Sequence, residues 1–224
     1  MISAVVPGFL HGTHAVRGVY NDNGVAITLG TVGLFAFLVA NRRRGSPNAY
    51  HPTAISRSSE SRPLKHYKSH GLLAGSILDF GSGRGQDCKG RRIKCYEPNH
   101  PAPASRSLPD GKFDTVLMTY VVNVIPKSRR GAAVREAAGK VKKGGRLLIA
   151  ARSTGDSGYQ RARSQWKKSG DGHATADGRR FQKFYASSAA LSKEVGAFIG
   201  TGWKAEPIAG SGSETAYASY RRVQ

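Results

Sequence analysis

The chain is 224 residues long and carries 35 Lys and Arg against 14 Asp and Glu, a formal charge of +21. That length suits one ordinary domain with an appendage, and 39% hydrophobic residues argue against a disordered chain. The charge is silent on fold but favours polyanionic partners, either nucleic acid or an anionic membrane face.

Residues 1–48 form a hydrophobic amino-terminal appendage. Within it Gly24 to Ala40 is a run of 17 residues without a charge, followed by Arg42, Arg43 and Arg44. Seventeen is the lower edge of a membrane-spanning length, and the basic flank would hold the following chain in the cytoplasm. Membrane contact through 24–40 and a buried element both fit this run. Localisation is accordingly read as cytoplasmic, with or without an anchor. Residues 49–75 read as a linker or arm, because 46–61 is rich in Ser, Pro, Asn and Arg.

Strands and helices alternate over the domain at 76–224. Ser76–Phe80 is a short apolar run ending in glycines, Ile93–Tyr96 a second strand and Thr115–Thr119 a third. The twelve residues 81–92 leave room for a helix of a turn or two, with Asp87 near its start. Pro126 opens the next helix, and Val134, Ala137, Ala138 and Val141 share one buried stripe. Lys143-Gly144-Gly145 stops it before a strand at Leu147–Ala151. Leu191, Val195, Phe198 and Ile199 mark another helix, and 203–209 with 216–223 form a terminal hairpin. The pattern predicts an α/β Rossmann-like, mostly parallel sheet with helices on both faces and a C-terminal antiparallel hairpin. The only cysteines, Cys88 and Cys95, form no CxxC, so neither a metal site nor a disulfide framework is expected. Reduced thiols are the default.

Chemistry concentrates at ILDFGSGRGQD, residues 77–87. Gly81, Gly83 and Gly85 directly follow a buried strand, where the backbone can turn tightly against a ligand. The spacing is GxGxG rather than the GxGxxG of dinucleotide folds. Asp79 beside the loop would repel a pyrophosphate but can pair with the ammonium of an amino-acid moiety. Glu97 closes the second strand, where a carboxylate can accept from both hydroxyls of a ribose. GSILDFGSGRGQD resembles motif I of class I methyltransferases, and KCYEPN resembles their second acidic motif. HPTAISRSSESRPLKHYKSHGLL, TYVVNVIP and GDGHATADGRRFQKFY resemble the DNA phosphorothioation-associated putative methyltransferases. The resemblance covers roughly residues 50–200. It implies a seven-stranded sheet and an S-adenosylmethionine cofactor at the strand ends, held by Asp79, Gly81, Ser82, Gly83, Arg84, Gly85, Glu97 and Tyr120.

Two regions are candidates for acceptor chemistry. Tyr120 and Asn123 follow the third strand and are the candidate catalytic residues. Asn123 suits a hydrogen bond from an exocyclic amine, or equally a cap on the Pro126 helix. The second region, 159–185, interleaves Arg161, Arg163, Lys167, Lys168, Arg179, Arg180 and Lys183 with Tyr159, Trp166, Phe181, Phe184 and Tyr185. Cations hold phosphates while bases stack on rings, so this mixture suits a nucleic acid, DNA or RNA. The expected function is methyl transfer to a nucleic acid or associated polyanion. Small-molecule or protein methylation, and a silent binding module of the same fold, are the alternatives.

Overall fold

The structure, a computed structural model, describes residues 54–209 and 212–224. The appendage at 1–48, with its apolar run at 24–40, lies outside the described residues. Among those described, no helix is long and apolar enough to cross a membrane.

Strand β1 (Ile77–Phe80) pairs in parallel with β2 (Ile93–Tyr96) on one side and β3 (Phe113–Thr119) on the other. Strand β4 (Val141–Arg152) continues the parallel set beyond β3. The hairpin β8 (Trp203–Glu206) and β9 (Thr215–Arg222) closes the sheet, with β9 antiparallel to β4. The order β2-β1-β3-β4-β9-β8 makes six strands, where seven were expected. Among the described residues no strand follows β2 at its edge, because the chain leading from it carries Pro98, Pro101, Pro103 and Pro109. A proline cannot donate to a ladder, and this stretch forms only a short 3-10 turn at Pro103–Arg106.

Strand parity sorts the core into two faces, as the pleat requires. Val116, Met118, Leu147, Ile149, Ala216, Ala218 and Tyr220 pack with helices α2 (Lys127–Gly139) and α4 (Ser188–Ile199). Leu117, Leu148, Ala150 and Tyr217 pack on the other face with Leu64 and Tyr67 of α1 (Arg62–Ser69). The expected stripes hold: Val134, Ala137 and Ala138 on α2, and Leu191 and Val195 on α4, are buried. Helix α2 ends at Gly139, however, and Val141 already opens β4. The Lys143-Gly144-Gly145 stretch therefore lies inside the strand, where the β3–β4 register slips between Phe113 and Thr115.

Residues 153–187, between β4 and α4, form a separate insert. Helix α3 (Gly158–Gln165) precedes a small antiparallel sheet of β5 (Lys167–Ser169), β6 (Gly172–Ala174) and β7 (Phe181–Gln182). Its two ends meet where Thr154 N–H donates to Tyr185 O at 2.9 Å and Tyr185 N–H to Arg152 O at 2.9 Å.

One buried cation fastens this insert to the sheet. Arg130 of α2 is fully buried and donates to the carbonyls of Val122 and Ile125, at 2.8 and 3.0 Å. Its remaining hydrogen bonds reach Asp171 at 2.8 Å and Glu194 at 2.6 Å. Lys183 bridges the same two carboxylates. Burial alone would raise the Asp171 and Glu194 carboxyls, but hydrogen bonds from Arg130 and Lys183 outweigh it and hold both below their ordinary range. Depressed carboxyls stabilise the fold above about pH 4, and that stabilisation disappears as pH falls through their folded values. Removing one partner of a buried ion pair strands the others, so Arg130→Ala should cost about 3–5 kcal/mol in urea unfolding. An unchanged midpoint would show that Lys183 suffices alone.

Candidate active site at the carboxyl ends of the strands

The turn after β1 is built by three left-handed glycines, Gly81, Gly83 and Gly85, with φ of 83°, 57° and 72°. A side chain at Gly81 would meet Val121 Cγ2 at 2.5 Å, so the β1 and β3 turns approach closely here. The loop's amide hydrogens are largely spent on its own walls. Gly81 and Ser82 N–H both donate to Tyr96 O, at 2.8 and 3.0 Å, and Gly85 N–H donates to Ser82 O at 3.0 Å. Gly83 N–H donates to Glu97 Oε2 at 2.9 Å. A phosphate cradle needs free N–H groups, and these four are occupied.

Both acids expected beside the loop are buried there. Glu97 holds the loop through Oε2, while Oε1 accepts from Asn99 N–H at 2.9 Å and its side-chain amide at 3.2 Å. Three of a carboxylate's roughly four acceptor positions are thus taken, which leaves Glu97 one for a further hydroxyl. Asp79 is 2% exposed, and Oδ1 has no hydrogen-bond partner among the described residues. Burial pushes its carboxyl up to about 7, with help from the charges of Asp87 and Glu97 and against that of Arg57. Arg84 contributes backbone to the loop, while its exposed side chain turns to the arm, with Nε 3.5 Å from Ala54 O.

The segment after the loop departs from expectation in two ways. No helix forms between Gly81 and Arg92; the chain runs through successive turns. Asp87 is therefore not at a helix start. It is buried and accepts from Ser61 N–H at 2.7 Å, while the Ser61 hydroxyl accepts from Leu64 N–H and caps α1. The second departure concerns Cys88 and Cys95, which are joined in a disulfide rather than left as thiols. Cys95 lies opposite Asp79 in the β1–β2 register, and the turn returns Cys88 to the same spot. The two sulfurs and the Asp79 carboxylate lie within 4.8 Å of one another, an arrangement of metal-ligand type whose sulfurs are already bonded.

Residues 54–61 lie along the loop as an arm. Ala54 is 3.7 Å from where a Gly83 side chain would begin, Gln86 Nε2 donates to Ser58 O at 3.4 Å, and Arg91 Nε donates to Glu60 at 2.8 Å. Arg57 of this arm reaches the ring of Tyr120, 5.7 Å from its centroid. Tyr120 adopts φ 59°, the one positive value among the described non-glycine residues. That strain fixes the ring at the end of β3, where its hydroxyl pairs with Thr215 Oγ1 at 3.1 Å. Asn123 is 1% exposed, and neither amide atom has a partner among the described residues. It does not cap α2, whose N-cap is Pro126 with no side-chain bond. The structure thus gathers Asp79, the glycine loop, Glu97 and Tyr120 at one sheet end, with Asn123 in the loop that follows β3.

In the insert, the cations and the rings separate. Arg161, Arg163, Lys167, Lys168, Arg179 and Arg180 are exposed. Phe181 and Tyr185 are buried, while Tyr159 and Phe184 meet edge to face at 5.2 Å. Lys183 leaves the basic set because Asp171 and Glu194 hold it. Sequence reading missed Arg57, Arg152, Ser61 and Thr215, whose spacing along the chain carries no signal. Asp114 behaves as an anchor: it accepts from Ser76 and Lys142, tying β1, β3 and β4 together.

No family model and no curated protein matches the chain. Solved structures do. A Thermotoga maritima S-adenosylmethionine-dependent methyltransferase, described as a possible histamine N-methyltransferase, is 18% identical over 72% of this chain and 87% of its own, with a TM-score of 0.51. The 1,6-didemethyltoxoflavin-N1-methyltransferase of Burkholderia thailandensis, bound to S-adenosylhomocysteine, is 15% identical over 72% and 77%, with a TM-score of 0.47. The fold is that of class I methyltransferases.

Closing the loop between positions 88 and 95 removes chain entropy worth about 2.5 kcal/mol from the unfolded state. Cys88→Ser should lose about that much in denaturant unfolding, and the unreduced, unfolded protein should titrate no free thiol. A full complement of free thiols would refute the disulfide.

Proposed function

We propose that the chain is an S-adenosylmethionine-dependent methyltransferase whose acceptor is a nucleic acid or associated polyanion. The observation that carries the cofactor assignment is the glycine loop with its amide hydrogens spent and two buried acids beside it. Such a loop suits a nucleoside without phosphates. Glu97 keeps one acceptor position for a ribose hydroxyl, and the unpartnered Asp79 oxygen suits an ammonium. Gly81, Ser82, Gly83, Arg84 and Gly85 supply the close backbone wall, and Tyr120 closes it on the β3 side. When bound, the cofactor supplies a methyl group on a sulfonium that leaves without assistance, so the protein's task is chiefly alignment. Buried and unpaired, the Asn123 amide offers one donor face and one acceptor face, which fits an exocyclic amine or a base edge. Tyr120 and Asn123 are therefore the proposed positioning groups for the acceptor.

The exposed cations of the insert support the polyanion reading. A small-molecule acceptor is the second reading, favoured by the arm at 54–61 lying over the loop. Salt dependence separates the two. Nucleic-acid binding should fall linearly on a log–log plot against salt, with a slope of about −0.7 to −0.9 per contacted phosphate. Neutralising Arg179 and Arg180 together should flatten the slope by about two units in fluorescence anisotropy. Absence of binding at low salt would move the acceptor to a small molecule.

Two calorimetric results test the cofactor. Glu97→Ala should weaken S-adenosylhomocysteine by roughly 10- to 150-fold, the worth of a charged hydrogen bond at about 1.5–3 kcal/mol. An ammonium favours ionised Asp79, whose carboxyl is raised to about 7. Affinity should therefore rise with pH through that value, with a proton released on binding below it. Asp79→Asn should abolish this pH dependence. A flat profile in the unaltered protein would remove Asp79 from the ammonium.

A further inference from the structure

Two guanidinium groups converge on the Tyr120 ring from different parts of the chain. Arg57 comes from the arm, and Arg152, from the last position of β4, stands 6.0 Å from the same centroid. Arg152 donates one N–H to Asp156 at 2.8 Å, leaving the rest of its fork. No carboxylate makes an ion pair with Arg57 among the described residues; the acid acting on it is Asp79, at longer range and with its carboxyl raised to about 7 by burial. Among the other half-buried cations, Arg91, Arg146 and Lys183 sit on carboxylates, and Arg106 and Lys140 donate to the carbonyls of Pro101 and Pro109. A half-buried guanidinium without an ion-pair partner, sharing one ring with a second guanidinium, concentrates positive charge at this end of the sheet.

Its place in the sheet says which ligand it faces. The glycine loop and Glu97 occupy the β1–β2 end. Tyr120 stands at the end of β3, and Arg152 and Thr215 belong to β4 and β9 on its far side. Past Arg152 the chain enters the basic insert directly. From this juxtaposition we infer that Arg57 and Arg152 form an oxyanion subsite for the methyl acceptor, taking a phosphate group of the unit presented to the cofactor. Strained and tied to Thr215, Tyr120 is the platform that sets the spacing of the two guanidiniums. The cations of the insert then act on phosphates further along the same acceptor.

This inference deepens the methyltransferase reading and rests on it for the identity of the acceptor. It is tested on the full chain saturated with S-adenosylhomocysteine. A fluorescent dinucleotide with a 5′-phosphate is titrated against the same dinucleotide without one. The phosphorylated probe should bind at least tenfold more tightly. Arg57→Gln and Arg152→Gln should each erase most of that difference, and Arg57→Lys should restore part of it. S-adenosylhomocysteine affinity should stay unchanged in Arg152→Gln and Arg57→Lys, which keep the Arg57 charge that acts on Asp79, and circular dichroism should show all three folded. Arg179→Gln with Arg180→Gln should leave the phosphate preference of so short a probe intact. Equal binding of the two probes, no binding of either, or a preference indifferent to both arginines would overturn the subsite. So would a loss confined to S-adenosylhomocysteine, which would put Arg57 on the cofactor. If the unaltered protein ignores S-adenosylhomocysteine yet keeps the phosphate preference, the methyltransferase reading fails while the subsite stands.

Discussion

Everything at the ligand end of this sheet depends on how twelve residues, 81–92, connect two neighbouring parallel strands. That is close to the shortest span a parallel crossover allows. A helix here would ordinarily stiffen the glycine loop from behind. This chain replaces it with tethers: the Cys88–Cys95 disulfide, the Ser61–Asp87 hydrogen bond and the Glu97–Gly83 hydrogen bond. Two of the three join the loop to β2, and the third joins it to the arm. The loop's shape is thus held by side chains from outside its own segment, and the arm and loop are one structural unit.

The same economy explains where the polar groups go. Asp79, Asp87 and Glu97 are all buried within a short stretch of a chain with few acids. Asp87 and Glu97 are hydrogen-bonded, while Asp79 keeps an oxygen without a partner. Asp171 and Glu194 are likewise consumed by Arg130 and Lys183. Five of the protein's 14 acids are therefore committed to internal tasks, and the surface retains the excess of Arg and Lys. The positive exterior is in part a by-product of how the interior is held.

Much of this was legible in the residues. The strand runs, the two helix stripes and the hairpin lie within a few positions of where periodicity puts them. The glycine loop with Asp79 and Glu97 was legible too, because each sits at a fixed offset from a strand end. What escaped was set by three-dimensional return of the chain. Cys88 reaches Cys95 only because a helix is missing and the β1–β2 register brings position 95 opposite Asp79. Lys183 reads as one more cation until Asp171 and Glu194 are seen beside it. Arg57 and Arg152 are 95 positions apart, and nothing local joins them. The missing seventh strand was foreshadowed by four prolines, a signal weaker to the eye than the family resemblance.

Those prolines have a second effect. Among the described residues they leave β2 at the rim of the sheet, with no strand on its outer side. An open rim is a template on which another chain can add a strand and start aggregation. Here it is only four residues long, carries the exposed Lys94, follows the exposed Arg92, and is cut off by Pro98 just past its end. A foreign strand would meet like charge along a ladder too short to hold it. On this edge the residues that keep the following segment from adding a strand also work against a foreign one.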